Sequence, residues 1–204
     1  MNNARTQAAA GRAGLVVVVV FVWSLVVVGR AQGEEDFVKV RSVSPDKKFA
    51  MQIVCDGTPP DAEKIDSGLI KAITLVSLPD KKEVARLLPE EDVQTTFSGI
   101  KLLWSADSKW CAFYYAQPRI GYTSVLHLAG EKFDLVVNPV DLRIPFPKNA
   151  EIRNEYISPV KWTKPGELVL DQMGIFRGGS GDSDRKFTAV FDAGAKKFSV
   201  VSKK

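Results

Sequence analysis

The sequence predicts an all-β protein of antiparallel meander repeats, either propeller-like or laid out as an open twisted sheet or sandwich. Three observations carry that expectation. Helical periodicity is weak along the chain, and Glu90 to Thr95 is the one stretch suited to a short helical turn. A turn signature recurs, each time followed by an apolar run of strand composition. Downstream of the turns, a hairpin pattern is written twice in nearly the same residue order.

Met1 to Ala31 form a leader. Arg5 and Arg12 make a basic start, and the unbroken apolar run from Leu15 to Val28 has a length suited to the core of a secretory signal peptide. A membrane span needs about 20 residues. Gly29 and Ala31 put small side chains where a signal peptidase reads, so cleavage after Ala31 is expected, with an uncleaved membrane anchor as the rival. The expected destination is periplasmic or secreted. Without the leader's three arginines, the 28 basic residues fall to 25 against 24 acids. The near-neutral domain from Gln32 to Lys204 gives no electrostatic reason to bind nucleic acid, and it is long enough for one domain with a core.

The mature chain reads as three meander units, about 37–90, 97–140 and 156–202. The first turn is Val43-Ser44-Pro45-Asp46-Lys47-Lys48-Phe49-Ala50. Ser followed by Pro or Asp bonds its own backbone and reverses the chain, which makes Ser44 and Asp46 corner residues. Ile73 to Leu88, turning at Pro79-Asp80-Lys81-Lys82, supplies that unit's hairpin. The second corner is Trp104-Ser105-Ala106-Asp107-Ser108-Lys109-Trp110, followed by the hairpin Tyr122 to Val137, which turns at Ala129-Gly130-Glu131-Lys132. A Pro-rich stretch, Asn138 to Pro159, reads as a long ordered connection with Phe146 as its anchor. The third corner starts at Trp162, as the second does at Trp104, and the hairpin Phe187 to Val201 repeats the second one's pattern.

The run Trp104, Ser105, Asp107, Lys109 and Ala112, with a strand ending near Gly130, resembles the WD-like propeller repeat of TolB and of dipeptidyl-peptidase propeller domains. Ser44-Pro45-Asp46 matches the centre of that motif and lacks its tryptophan. Trp162 matches its start, with Pro165 where the aspartate belongs. The resemblance covers the strand corners and implies a propeller architecture with interaction surfaces on its loops. By length, three units fall short of the 4 to 8 blades a closed propeller uses.

Chemistry is sparse. His127 is the one histidine, on a strand face, and its counterpart in the next hairpin is Asp192; no nucleophile-elbow sequence accompanies it. Gly178-Gly179-Ser180-Gly181-Asp182-Ser183-Asp184 reads as a flexible hairpin loop, lacking the lysine and helix of a phosphate loop and the stacked copies of a calcium roll. Glu90-Glu91-Asp92 reads as a solvated acidic turn. Cys55 and Cys111 are either one disulfide, which an exported protein permits, or two small buried hydrophobes. No metal or cofactor is expected.

If the units are equivalent, the loops Asp56 to Gly68, Gln117 to Tyr122 and Gly174 to Arg185 share one rim. That rim would gather Arg119, Tyr122, Phe176, Arg177, Asp182 and Asp184, and arginine and aromatic side chains are the types enriched at binding hot spots. The expected function is therefore an exported, non-enzymatic binding or envelope-associated module with a protein or glycan partner. A small carbohydrate-acting hydrolase or lectin-like protein is the alternative, to be distinguished by a deep pocket with convergent carboxylates.

Overall fold

The structure, a computed structural model, describes residues 35–61, 65, 67–88, 99–137, 141–179 and 181–201. The leader and Glu90 to Thr95 lie outside the described residues. The fold below is that of the unit Gly33–Lys204.

Among the described residues, twelve strands make three antiparallel meanders of four. The first is β1 (Phe37–Arg41), β2 (Phe49–Cys55), β3 (Ile70–Ser77) and β4 (Glu83–Arg86), which form a separate sheet in that order. The second is β5 (Gly99–Trp104), β6 (Trp110–Ala116), β7 (Ile120–Ala129) and β8 (Lys132–Val137). The third is β9 (Ile152–Lys164), β10 (Glu167–Phe176), β11 (Asp182–Asp192) and β12 (Lys197–Val201). The second and third meanders fuse into one eight-stranded sheet, because the start of β7 pairs in parallel with β9 at Ile120↔Glu155 and Gly121↔Tyr156 before β8 takes over.

The corners explain why each meander begins as it does. At the first, the Ser44 hydroxyl donates to Asp46 Oδ1 at 2.7 Å and accepts from the Phe49 amide at 3.0 Å, while the Lys48 amide donates to Asp46 Oδ1 at 3.1 Å. The second corner repeats every bond: Ser105 to Asp107 at 2.5 Å, the Trp110 amide to Ser105 Oγ at 3.0 Å, and the Lys109 amide to Asp107 Oδ1 at 3.1 Å. Lys47 (φ 62°) and Ser108 (φ 59°) both take the left-handed step that closes each turn. The third corner holds the same shape with other chemistry, using Gly166 at φ +74° and the Thr163 hydroxyl on Glu167 at 2.6 Å.

Tryptophans tie one repeat to the next. Trp104 Nε1 donates to the Ser42 carbonyl at 2.7 Å, and Trp162 Nε1 donates to the Leu103 carbonyl at 3.0 Å. Ser42 and Leu103 occupy the same place, one residue before the first position of their corners. Val43 replaces the tryptophan in the first repeat and is half exposed. Among the described residues the first repeat has no such indole, and the two sheets do not close into a propeller.

The core has two parts, one on each side of the second meander. Met51, Ile53, Ile73 and Leu75 pack with Leu102, Cys111, Phe113 and Leu126. On the other side Trp110, Ala112 and Val125 pack with Ile157, Leu168, Leu170 and Phe187. Successive residues of β6 thus serve opposite cores, which is why Trp110 to Phe113 reads as a continuous buried run.

Cys55 and Cys111 are free thiols, both buried in the first core, so no disulfide joins them. Each occupies an inward strand position and packs as a small hydrophobe; burial pushes the Cys111 thiol far up its titration range. Two sequence expectations about loops also change. β9 begins at Ile152, inside the stretch read as a Pro-rich connection, and Pro159 is accommodated beside a register shift between Val169 and Leu170. In the Gly-rich segment, Arg177–Gly179 is a short 3-10 turn and β11 already starts at Asp182, because Gly178 and Gly181 take φ +72° and +101° and reverse the chain tightly.

Candidate functional site

The ends of β7, β9, β10 and β11 meet at one end of the eight-stranded sheet. Register alone places them: Ile120 opposes Glu155, Glu155 opposes Gly174, and Gly174 opposes Ser183. Arg119 and Arg177 stand on either side of β9. The Glu155 amide donates to the Arg119 carbonyl at 3.0 Å, and the Arg177 amide donates to the Glu151 carbonyl at 2.8 Å. Both arginines are exposed, as are Asp182 and Asp184. The loop after β2 belongs to the other sheet, and part of it lies outside the described residues.

Phe176 and Tyr122 are at this end but half-buried, each for a definite reason. Phe176 meets Phe146 edge to face with centroids 5.9 Å apart, and the Arg185 guanidinium sits 4.4 Å over the Phe146 ring. Gly174 makes room, since a Cβ there would stand 2.5 Å from that ring. Tyr122 has its hydroxyl pKa raised by burial and by the Glu155 carboxylate, with Arg143 opposing.

Beneath these residues lies a polar cluster that the sequence reading missed. Glu155 is buried on the side facing Gln172, which is fully buried. Gln172 Nε2 donates to Glu155 Oε1 at 2.8 Å and to the Ile144 carbonyl at 3.0 Å, while Gln172 Oε1 accepts from the Ile144 amide at 2.9 Å. Arg143 approaches the other carboxylate oxygen at 3.9 Å. The side-chain amide thus does for the strap 141–150 what a neighbouring strand would do, and Leu142 and Phe146 pin it to the sheet. The strand alternation Leu168, Leu170, Gln172 was the available signal, since it places a polar residue on the inward face.

Of the other concavities, the trough past Tyr156 and Met173 adjoins this end, one residue along from Glu155 and Gly174. A cleft of about 480 Å³ runs between the corners of the first and second meanders, floored by Phe49, Leu78 and Leu128. Its rim carries Lys48, Lys82, Lys109 and Lys132 against Asp46, Glu83, Asp107 and Glu131, so its charges offset and select no class of ligand. A trough of about 400 Å³ crosses the eight-stranded sheet past Tyr114, Tyr156 and Met173. The Tyr156 hydroxyl donates to the Pro118 carbonyl at 2.8 Å and accepts from Asn154 at 3.1 Å. Burial, then the neighbouring Tyr156, raises the pKa of Tyr114.

His127 borders a shallow hollow of about 460 Å³ with Asp134, Leu135 and Phe191. Its ring packs 4.0 Å, centroid to centroid, from Trp110, and burial lowers its pKa, with Asp107 and Asp134 opposing and Lys109 reinforcing the shift. Among the described residues no group of three or more His, Cys, Asp or Glu converges as metal ligands, and no helix is long and apolar enough to cross a membrane.

No family model matches the chain, and no curated protein matches it. Among solved structures it is similar to two crystal structures of single-residue mutants of B. megaterium levansucrase, at 12% and 13% identity. In each the TM-score is 0.39, and the match covers 84% of this chain and 50% of that one. The chain therefore spans half the length of the chains it matches.

Proposed function

We propose that this chain is a non-enzymatic binding module, exported by its leader, that captures a partner at the rim of β7, β9, β10 and β11. The observation that carries this reading is the placement of two exposed arginines, Arg119 and Arg177, on either side of β9, with Arg177 directly following Phe176 of the Phe146–Phe176 pair. Arginine combines area with a fixed fork of donors, and aromatic neighbours supply apolar contact at little entropic cost. The non-enzymatic reading is supported by how the chemically capable groups are occupied: Glu155 is held by Gln172, and His127 is packed on Trp110.

A pull-down from the native envelope fraction tests it. Mature protein is expected to retain a partner, and Arg119→Ala with Arg177→Ala to lose it with the melting transition unchanged. Retention by the double variant would reject the rim. Export is tested separately by intact mass, with Gln32 as the expected first residue of the exported form; a membrane-fraction species that still contains Trp23 would overturn cleavage.

A further inference from the structure

The trough across the eight-stranded sheet has a construction that points to one ligand class. Five of its eight lining residues lie in one transverse row, which Gly121 completes beneath the Tyr114 ring: Gly99 opposes Ala116, Ala116 opposes Gly121, Gly121 opposes Tyr156, Tyr156 opposes Met173, and Met173 opposes Asp184. Six strands with about 4.8 Å between neighbours make a row roughly 24 Å long. At one end the residues are small, and the Tyr114 ring lies over Gly121, where a Cβ would stand 2.5 Å from the hydroxyl oxygen. At the other end stand Tyr156, fixed at its hydroxyl by Pro118 and Asn154, and the exposed Met173. Ser158 and Asp171 flank the row, and Asp171 is neutralised by Lys186 at 3.5 Å.

We propose that this trough binds a linear, uncharged glycan lying across the strands. Backbone groups in the interior of the floor are spent on the strand ladders, so a ligand finds hydroxyl and carboxylate side chains there but few free amides or carbonyls. An extended peptide crossing the strands would leave much of its own backbone unpaired, at a cost. A sugar chain brings hydroxyl donors for Asp184 and Ser158 and C–H faces for the two tyrosines. The row's length suits several consecutive rings, and of the two acids that line the trough Asp171 is paired with Lys186, while Asp184 forms no salt bridge among the described residues and can accept from a sugar hydroxyl. This goes beyond partner capture at the rim, because the row crosses the face of the sheet one residue inward from the positions Glu155, Gly174 and Ser183 that mark the rim.

The test uses the mature protein with cello-, xylo- and malto-oligosaccharides, read by NMR of labelled tyrosine rings. Saturable shifts of Tyr114 and Tyr156 with at least one of the three are expected. Asp184→Ala should weaken that binding roughly tenfold, the loss of one hydrogen bond to a charged group. Met173→Arg should abolish it by filling the trough, with the thermal transition retained in both variants. The rim variant Arg119→Ala with Arg177→Ala should bind sugar as the parent does. No tyrosine shift with any oligosaccharide, undiminished binding by Met173→Arg, or equal loss in the rim variant would each overturn the proposal. So would tyrosine shifts produced by a lysine-rich peptide in place of the sugars.

Discussion

At the scale of single residues, the corner aspartates show how one side chain organises a turn. Asp46 and Asp107 each accept from the serine two residues back and from the amide two residues on, so the carboxylate fills the mouth of the reversal. Burial pushes the Asp46 pKa upward, but hydrogen bonds from Ser44, Lys48 and Ser108 outweigh it and hold the group below its ordinary value. A depressed folded-state pKa gives stability that is present above the unfolded value of 3.8 and lost as pH falls through the lower folded value. Asp107→Ala is expected to cost about 1 kcal/mol at neutral pH through the lost side-chain-to-backbone bonds. Chemical denaturation measures it, and a variant as stable as the parent would show that Asp107 does not hold its corner. Asp46→Asn should in addition flatten the acid limb of the stability profile relative to the parent. The two cysteines belong to this scale as well: sequence left open a bridge or two buried hydrophobes, and inward strand positions decide for the second.

At the scale of elements, the meanders were legible because their signals are local. A serine, an aspartate two residues later and an apolar run specify a corner wherever they occur, and Ala-Gly-Glu-Lys or Ala-Gly-Ala-Lys-Lys marks a hairpin turn without help from the rest of the chain. What was hidden depends on partners distant in sequence. The start of β9 at Ile152 follows from β7 and β10 offering hydrogen bonds on both sides, a fact no window around Arg153 contains. Asp182 and Asp184 were read as loop residues because of the glycines before them, yet their backbone pairs with Ile175 and Met173. The strap 141–150 shows the same limit. Phe146 was readable as an anchor, but its socket exists only because Gly174 lacks a side chain, and the strap's substitute for strand pairing is Gln172, far along the chain from Ile144. Of the six rim residues, register brings Arg119, Phe176, Arg177 and Asp182 to one end, where Tyr122 lies half-buried beside Glu155, and Asp184 takes its place in the transverse row.

For the whole molecule, the central fact is that the second meander is shared by two cores. Its β6 sends Cys111 and Phe113 to the first meander and Trp110 and Ala112 to the third, so neither neighbour can bury its inner face without it. The indole bonds run the same way, Trp104 reaching back to the first repeat and Trp162 reaching back to the second. Repeats coupled only to their neighbours unfold according to the strength of those interfaces, and interfaces this apolar favour one concerted transition over stepwise fraying. Phe113, fully buried, is the sharpest place to test this. Phe113→Ala should destabilise by about 3–5 kcal/mol, since it removes an aromatic ring from a packed interior that relaxes only in part. The loss should also be felt beyond the first core. In Trp162→Phe, Trp104 remains at the first interface and Trp110 within the second core; in Trp104→Phe, both Trp110 and Trp162 report on the second core. Fluorescence melts of these two backgrounds should coincide, and Phe113→Ala should move both midpoints together. If the background without Trp104 keeps its midpoint while the other falls, the meanders unfold independently and the shared-core account of this fold fails.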